Sequence, residues 1–179
     1  MSIEPDTKDW TWVLDQPCDE CGADVRSFLR DDVGRMIRDN AASWQDVLAR
    51  PDARERRLPN RWSPLEYGCH LRDVFLVQRE RMLAARRMDC PSFDPMGRDE
   101  RAEHDGYAEQ APERVARQLE DAAYMFVNVL DRFGPDDWDR TVMYNYPGMS
   151  ERSLRWVAVH TVHEVQHHLL DIRRQVEPA

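Results

Sequence analysis

Apolar residues recur at three- and four-residue spacings along four stretches of the sequence, a period typical of helices that bury one face. The stretches are residues 23–48, 63–88, 112–133 and 151–174. The strand signal is weak nearly everywhere, and no internal repeat appears. Four helices of similar length without a convincing sheet predict an all-α fold, a four-helix bundle. Such bundles can hold a metal ion on side chains that project from facing helices.

The second helix has the clearest start. Ser63 is placed as an N-cap, Pro64 occupies the first helical position, and Glu66 can complete a capping box. His70 falls on the apolar side of this helix, so we expect it to face inward. The third helix should end before Gly134, a glycine C-cap that is followed by a proline.

Two long connections separate the later helices. Residues 89–111 are rich in Pro, Asp, Arg and Gly, and connections of this length are often functional lids. The histidine there, His104, is interpreted as a surface residue. The second connection, residues 136–148, carries aromatic side chains that either roof a pocket or cover the end of the bundle: Trp138, Tyr144 and Tyr146.

The length of the chain supports a single bundle domain, residues 23–179, preceded by an N-terminal extension, residues 1–22. The net charge of -9 and the pI near 5.1 argue against nucleic acid or an anionic membrane as partner, since both require a basic face. No apolar run approaches the ~18 residues of a membrane span, and the first residues do not resemble a signal peptide. We therefore expect a cytoplasmic protein that binds a small molecule, and a homodimer is compatible with the sequence.

The N-terminal extension contains Cys18 and Cys21 in a CxxCG motif, which is half of a zinc knuckle. The other half is missing, because Cys69 and Cys90 are not closely paired, and four scattered cysteines do not make a disulfide framework. Three interpretations stay open. The two thiols are a local redox pair, a partial metal site completed by distant ligands, or thiols without a role.

Residues 160–168, with the sequence HTVHEVQHH, hold four of the six histidines and one carboxylate. Residues four apart lie on the same face of a helix, so each such pair can present two ligands to one ion. Three pairs exist in this stretch: His160 with Glu164, His163 with His167, and Glu164 with His168. The stretch therefore predicts a metal site on the fourth helix.

Two ligand sets compete within this stretch. His163, Glu164 and His167 match HExxH, in which two histidines bind zinc and the glutamate is the general base of a zinc peptidase. The extended motif fails, because a third histidine would fall where Arg173 stands, and the carboxylate farther downstream is Glu177.

The helical wheel favours the other set. At about 100° per residue, the pair Glu164 and His168 borders the apolar arc of the helix, whereas His163 and His167 point more nearly away from it. A metal inside the bundle is then held by His70, Glu164 and His168, with His163 and His167 as the alternative ligands. The arc comprises Leu154, Ala158, Val162, Val165, Leu169 and Ile172.

Residues 61–64 (RWSP) lead into residues 69–71 (CHL), and residues 167–172 (HHLLDI) follow the glutamate of the last helix. This arrangement resembles the DinB-like superfamily of metal-binding four-helix bundles, and within it the actinobacterial thiol-dependent branch. The resemblance implies one histidine ligand from the second helix and two ligands four residues apart on the fourth. Counting back from Asp171 and Ile172 gives His168 and Glu164, which is the set that the helical wheel favours.

The mycothiol-dependent maleylpyruvate isomerases are similar to this chain in having glutamate at that position. They carry a second C-terminal domain, whereas this sequence ends just after the fourth helix, so we expect thiol transfer rather than isomerisation. The resemblance implies transfer of a mycothiol-like thiol onto a small electrophile. Two histidines and one carboxylate suit a divalent ion, with Zn expected and Fe(II) or Ni(II) also compatible. The alternatives are a small-molecule hydrolase, a non-enzymatic metal-binding stress protein and the HExxH peptidase.

Overall fold

Four long helices form the body of the protein, and the prediction of an all-α four-helix bundle is confirmed. The computed structural model describes residue 3 and residues 9–26, 28–146 and 148–176. Along the chain the elements are α1 (Arg30–Leu48), α2 (Pro64–Arg87), the short α3 (Arg98–His104), α4 (Pro112–Leu130), the strands β1 (Thr141–Asn145) and β2 (Met149–Ser153), and α5 (Leu154–Val176). Turns of 3-10 helix lie at Thr11–Leu14, Tyr107–Glu109 and Pro135–Asp139.

In the bundle, α1 and α2 are diagonally opposite. Both helices pack against α4 on one side and against α5 on the other. The order of the long helices around the bundle is therefore α1, α4, α2, α5. This order makes α2 and α5 neighbours, which places the second helix beside the one that carries the histidine-rich stretch.

The start of α2 shows how the local sequence positions this helix. Ser63 Oγ accepts a hydrogen bond from the Glu66 backbone N–H at 3.2 Å, and Glu66 Oε2 accepts one from the Ser63 N–H at 2.9 Å. Pro64 is the first helical residue, so the predicted capping box is confirmed. Arg56 also pairs with the Glu66 carboxylate, which is buried.

The first helix starts later than predicted. Residues 23–26, 28 and 29 lie outside α1, which begins at Arg30, and Leu29 is 69% exposed. The acidic residues Asp31 and Asp32 fall in the first turn, where negative charge is favoured by the helix dipole. Residues 23–26, 28 and 29 are irregular chain in spite of their apolar spacing, and Val25 is buried.

The core lies between the four helices and is apolar. On α4 the apolar residues at three- and four-residue spacings are buried: Val115, Leu119, Ala122, Phe126 and Leu130. On α5 the predicted apolar arc is buried from Leu154 to Val165 and again at Ile172, while Leu169 is half-buried. The largest fully buried side chains include Trp44, Phe75, Phe126, Leu71 and Leu119.

The second connection is not the loop that we expected. It contains an antiparallel hairpin, in which Thr141 pairs with Ser153 and Met143 with Glu151. Because residues 149–153 pair with β1, α5 starts at Leu154 rather than at residue 151. Short strands are stabilised by what they pack on, and Val142 is fully buried against the bundle.

The N-terminal segment, residues 9–26, packs along the outer side of α5. Its 3-10 turn contacts that helix, and Trp156 Nε1 donates a hydrogen bond to the Thr11 carbonyl at 3.3 Å. Val13 and Cys18 are each 1% exposed. The division into an extension and a bundle domain at residue 23 stays a prediction. Among the described residues, no helix has the length and apolar character that a membrane span requires.

Candidate metal centre

The three residues predicted to bind a metal inside the bundle lie together. His70 comes from α2, and Glu164 and His168 come from the facing side of α5. His70 Nε2 lies 3.1 Å from Glu164 Oε1, and the rings of His70 and His168 are 5.3 Å apart. One ligand atom from each of the three side chains lies within 4.8 Å of the others.

These distances fit a shared divalent ion. With metal–nitrogen and metal–oxygen bonds of about 2.0–2.2 Å, two ligands of one ion lie roughly 3–3.5 Å apart. The separation of 3.1 Å between His70 and Glu164 is within that range. Small side-chain rotations would bring a ring nitrogen of His168 to the same distance from the ligand atoms of His70 and Glu164. The three side chains therefore fit a metal that prefers nitrogen and oxygen ligands.

The protonation states of His70 and Glu164 favour the binding of a cation. Burial opposes ionisation of Glu164, but the hydrogen bond with His70 and the neighbouring imidazoles outweigh it and lower the pKa of this carboxyl to about 2. Burial lowers the pKa of His70, although its contact with Glu164 opposes that shift. A carboxylate beside neutral imidazole is the form that binds a metal, because ligands must be deprotonated.

Further contacts hold the two imidazoles in place. His168 Nδ1 is hydrogen-bonded to Asp171 Oδ2 at 2.9 Å, which leaves Nε2 for a metal. A carboxylate on the remote nitrogen is typical of metal-binding histidines, and Asp171 is placed to orient His168 in this way. Tyr67 packs on His168 at 4.8 Å and Trp62 on His70 at 5.1 Å. His70 Nδ1 is buried and has no hydrogen-bond partner among the described residues.

The three residues line a cavity of about 350 Å³. Residues 95–100, in the connection predicted as a lid, form part of its wall, as do Tyr144 and Tyr146 of the predicted aromatic roof. Trp138 instead packs against Phe133 with ring centroids 5.2 Å apart. His104 is exposed on α3, as predicted.

Two basic residues and a tryptophan in this cavity were not predicted from the sequence. Arg81, Arg98 and Trp10 all line it. Arg81 is buried, donates to the Asp94 carbonyl at 3.0 Å and lies over the Tyr144 ring at 5.0 Å. A usable signal existed for Arg81, because it lies three helical turns beyond His70 on the same face of α2.

The alternative ligands His163 and His167 are not directed into solvent. They lie on the side of α5 that the N-terminal segment covers, so both side chains are buried. His163 is 2% and His167 5% exposed, with the Trp10 ring 5.0 and 4.4 Å from theirs. Burial, together with the neighbouring imidazoles, lowers the pKa of His163 to about 3, so this ring is neutral.

The geometry separates the members of the HExxH motif. Glu164, which would be the general base of a peptidase, pairs with His70, whereas His163 and His167 group with Cys18 and Cys21. The candidate third ligand, Glu177, lies outside the described residues. The remaining histidine of the stretch, His160, stacks on Trp156 at 4.6 Å and lines the cavity.

A family model described as the DinB superfamily matches residues 35–172, which is most of the chain. The chain belongs to the DinB superfamily. The matched region includes His70, Glu164 and His168. The thiol-dependent branch within the superfamily stays a prediction.

This DinB-superfamily protein also resembles a solved structure. YfiT from Bacillus subtilis, described as a probable metal-dependent hydrolase with an unusual four-helix bundle topology, matches with a TM-score of 0.70. The two chains are 12% identical, and the match covers 82% of this chain and 87% of YfiT. At this identity the match shows the shared fold. A search of curated proteins finds no match.

Proposed function

We propose that this protein is a metal-dependent enzyme that acts on small molecules, with His70, Glu164 and His168 as the metal ligands. The observation that carries the proposal is the meeting of two imidazoles and an ionised carboxylate at the wall of a cavity. Three protein ligands leave coordination positions open, as in catalytic sites. When bound there, Zn, or alternatively Fe(II) or Ni(II), would lower the proton affinity of a thiol or a water molecule.

The leading form of the proposal is transfer of a mycothiol-like thiol onto a small electrophile. The resemblance of residues 61–64, 69–71 and 167–172 to the thiol-dependent branch supports it. The cavity supports it as well, because about 350 Å³ is within the range of small-molecule sites. Its wall combines apolar side chains such as Val74 and Met96 with the cations of Arg81 and Arg98, which suit an organic molecule that carries anionic or polar groups.

Hydrolysis is the second candidate. The description of YfiT as a probable metal-dependent hydrolase favours it, and so do two carboxylates on the cavity wall, Asp99 and Glu100. A carboxylate near the reacting water could accept its proton, as a general base does. Thiol transfer requires no such group, because the thiol would already be ionised.

Metal content tests the ligand assignment. His70→Ala and Glu164→Gln should each lose one equivalent of bound metal relative to the wild type, measured by elemental analysis of the purified protein. His104→Ala is the matched control, because His104 is an exposed histidine on α3, and this variant should retain all of its metal. Full metal content in His70→Ala and Glu164→Gln would overturn the proposed ligands.

Turnover tests the reaction. The metal-loaded protein is incubated with a panel of electrophiles, with and without mycothiol, and with ester and amide substrates. Conjugation that requires the thiol and disappears in Glu164→Gln supports thiol transfer, whereas hydrolysis without thiol supports the second candidate. Full metal loading without either reaction would contradict an enzymatic role and favour a metal-binding stress protein.

A further inference from the structure

Four side chains other than His70, Glu164 and His168 meet between the N-terminal segment and α5, and two of them, His163 and His167, also border the cavity. They are Cys18, Cys21, His163 and His167, and one ligand atom from each lies within 4.8 Å of the others. Cys18 Sγ lies 3.7 Å from His167 Nδ1. Cys18, His163 and His167 are buried, and Cys21 is half-buried. The cluster is thus enclosed and close to the dimensions of a metal site.

We propose that these four side chains form a second metal site, which binds zinc through two thiolates and two imidazoles and fastens the N-terminal segment to α5. Two cysteines and two histidines are a closed ligand set, which is typical of structural zinc. The spacings C-x2-C and H-x3-H are also those of structural zinc sites. This site is independent of the function proposed for the cavity.

The two cysteines lie in a hydrogen-bonded turn, and the two histidines lie on one face of α5. Around the cysteines, the Gly22 N–H donates to the Cys18 carbonyl at 2.8 Å, and the Cys18 N–H donates to the Ala23 carbonyl at 2.9 Å. Gly22 has a φ of +70°, which glycine adopts without strain. On α5, His163 and His167 are four residues apart and lie one above the other.

The distances require little movement for zinc to bind. With Zn–N bonds of about 2.0–2.1 Å and Zn–S bonds of about 2.3 Å, the ligand atoms of a tetrahedral site lie roughly 3.3–3.8 Å apart. The distance of 3.7 Å between Cys18 and His167 meets this requirement. The widest separation in the cluster, 4.8 Å at most, would need to close by about 1 Å, which side-chain rotation supplies.

The surroundings of the two imidazoles match those of zinc ligands. His167 turns Nδ1 to Cys18, and its Nε2 lies 3.9 Å from both Glu20 Oε2 and Asp171 Oδ1. Carboxylates beside the remote nitrogen orient a metal-binding histidine. His163 Nε2 is buried and has no hydrogen-bond partner among the described residues. A buried polar atom without a partner is costly, and a bond to metal at this nitrogen would satisfy it.

Burial argues against a redox role for the CxxC motif. A reactive dithiol needs an exposed thiol that can attack a partner disulfide, whereas Cys18 is 1% exposed and Cys21 is half-buried. The ring of Trp10, tilted by 55° to both imidazoles, further shields them. Since Trp10 also lines the cavity, the second site would hold one part of the cavity wall in place.

Cobalt substitution and metal content test this site in the full-length protein. The wild type should bind two equivalents of Zn and, with Co(II), show the near-ultraviolet charge-transfer band that arises when thiolate binds cobalt. Cys18→Ser/Cys21→Ser should lose one equivalent and the band. Glu164→Gln should lose one equivalent but keep the band, so the two sites are measured separately. Cys90→Ser is the matched control and should keep both ions and the band.

Three results would overturn the proposal. They are a wild type without the charge-transfer band, a band that persists in Cys18→Ser/Cys21→Ser, and a disulfide between these cysteines in protein purified under reducing conditions with zinc. If Cys18→Ser/Cys21→Ser does not fold, tryptic cleavage at Arg26, whose side chain is 45% exposed, tests the site instead. In Glu164→Gln, removal of zinc should accelerate this cleavage and re-addition should slow it. Equal rates would also contradict the site.

Discussion

Removing one hydroxyl group from Tyr107 should loosen the segment that covers the cavity. Tyr107 follows α3 in the connection between α2 and α4, and it is fully buried. Its hydroxyl donates a hydrogen bond of 2.7 Å to Asp73 Oδ2 on α2. Asp73 is 4% exposed and also accepts from Arg72 Nε at 2.8 Å. The bond therefore joins the connection to α2 through a buried charge.

The size of the effect follows from these contacts. A hydrogen bond to a charged group contributes about 1.5–3 kcal/mol to stability. In Tyr107→Phe the ring remains packed, and Asp73 keeps its pairing with Arg72, so the lower half of that range applies. A loss of about 1.5–2 kcal/mol corresponds to a decrease in Tm of roughly 3–8 °C for a chain of this size. Burial and the adjacent Asp73 raise the pKa of Tyr107, so the hydroxyl stays a donor and the loss should be constant from neutral to mildly alkaline pH.

Urea denaturation followed by circular dichroism measures this loss. Tyr124→Phe is the matched control, because Tyr124 is 66% exposed on α4 and the same atom is removed there. The control should change the free energy of unfolding by less than about 0.5 kcal/mol. If Tyr107→Phe were no more destabilising than Tyr124→Phe, the reasoning from the buried hydrogen bond would be refuted.

Two further predictions concern α2. Burial raises the pKa of Glu66, but Arg56 and the Ser63 N–H outweigh it, so the folded pKa lies below the unfolded one. The stabilisation is therefore present above the unfolded pKa and is lost as the pH falls through the folded one. In urea denaturation, Glu66→Gln should lower the free energy of unfolding by about 1.5 kcal/mol at pH 7 and by less near pH 3. An equal decrease at both pH values would contradict the contribution of the Glu66 charge. In Gly68→Ala the new Cβ would lie 3.1 Å from two Leu48 methyl carbons. The cost of overpacking, about 1–3 kcal/mol, should exceed the gain of about 1 kcal/mol in helix propensity, so the variant should be less stable than the wild type. A higher Tm in thermal denaturation would refute this prediction.

The long helices and the candidate ligands of the cavity were accessible to sequence reasoning because their signals are local. The capping box of α2 involves residues three apart, and the burial of α4 follows the period of its own apolar residues. Glu164 and His168 could be paired from helical spacing alone. Their meeting with His70 also required α2 and α5 to be neighbours, which periodicity does not determine.

The remaining features depend on contacts between distant parts of the chain. Cys18 and His167 are 149 positions apart, so a helical wheel of α5 cannot show that the N-terminal segment covers its outer face. The hairpin was missed for a similar reason. Its two strands are short, and the burial of Val142 and Tyr144 against the bundle, rather than strand propensity, stabilises them.

The two proposed ligand sets would also account for four histidines within nine residues of α5. Glu164 and His168 follow His163 and His167 by one position, and one residue turns a pair by about 100° around the helix. Each pair is then completed by a different distant element, either His70 of α2 or the cysteines of the N-terminal segment. Two thiolates would neutralise a divalent ion, as suits a closed structural site, whereas the single carboxylate of the cavity set would leave one positive charge. That remaining charge would attract an anionic nucleophile to the cavity, so Glu164 in one proposed site and the cysteines in the other would give the two sites different chemistry.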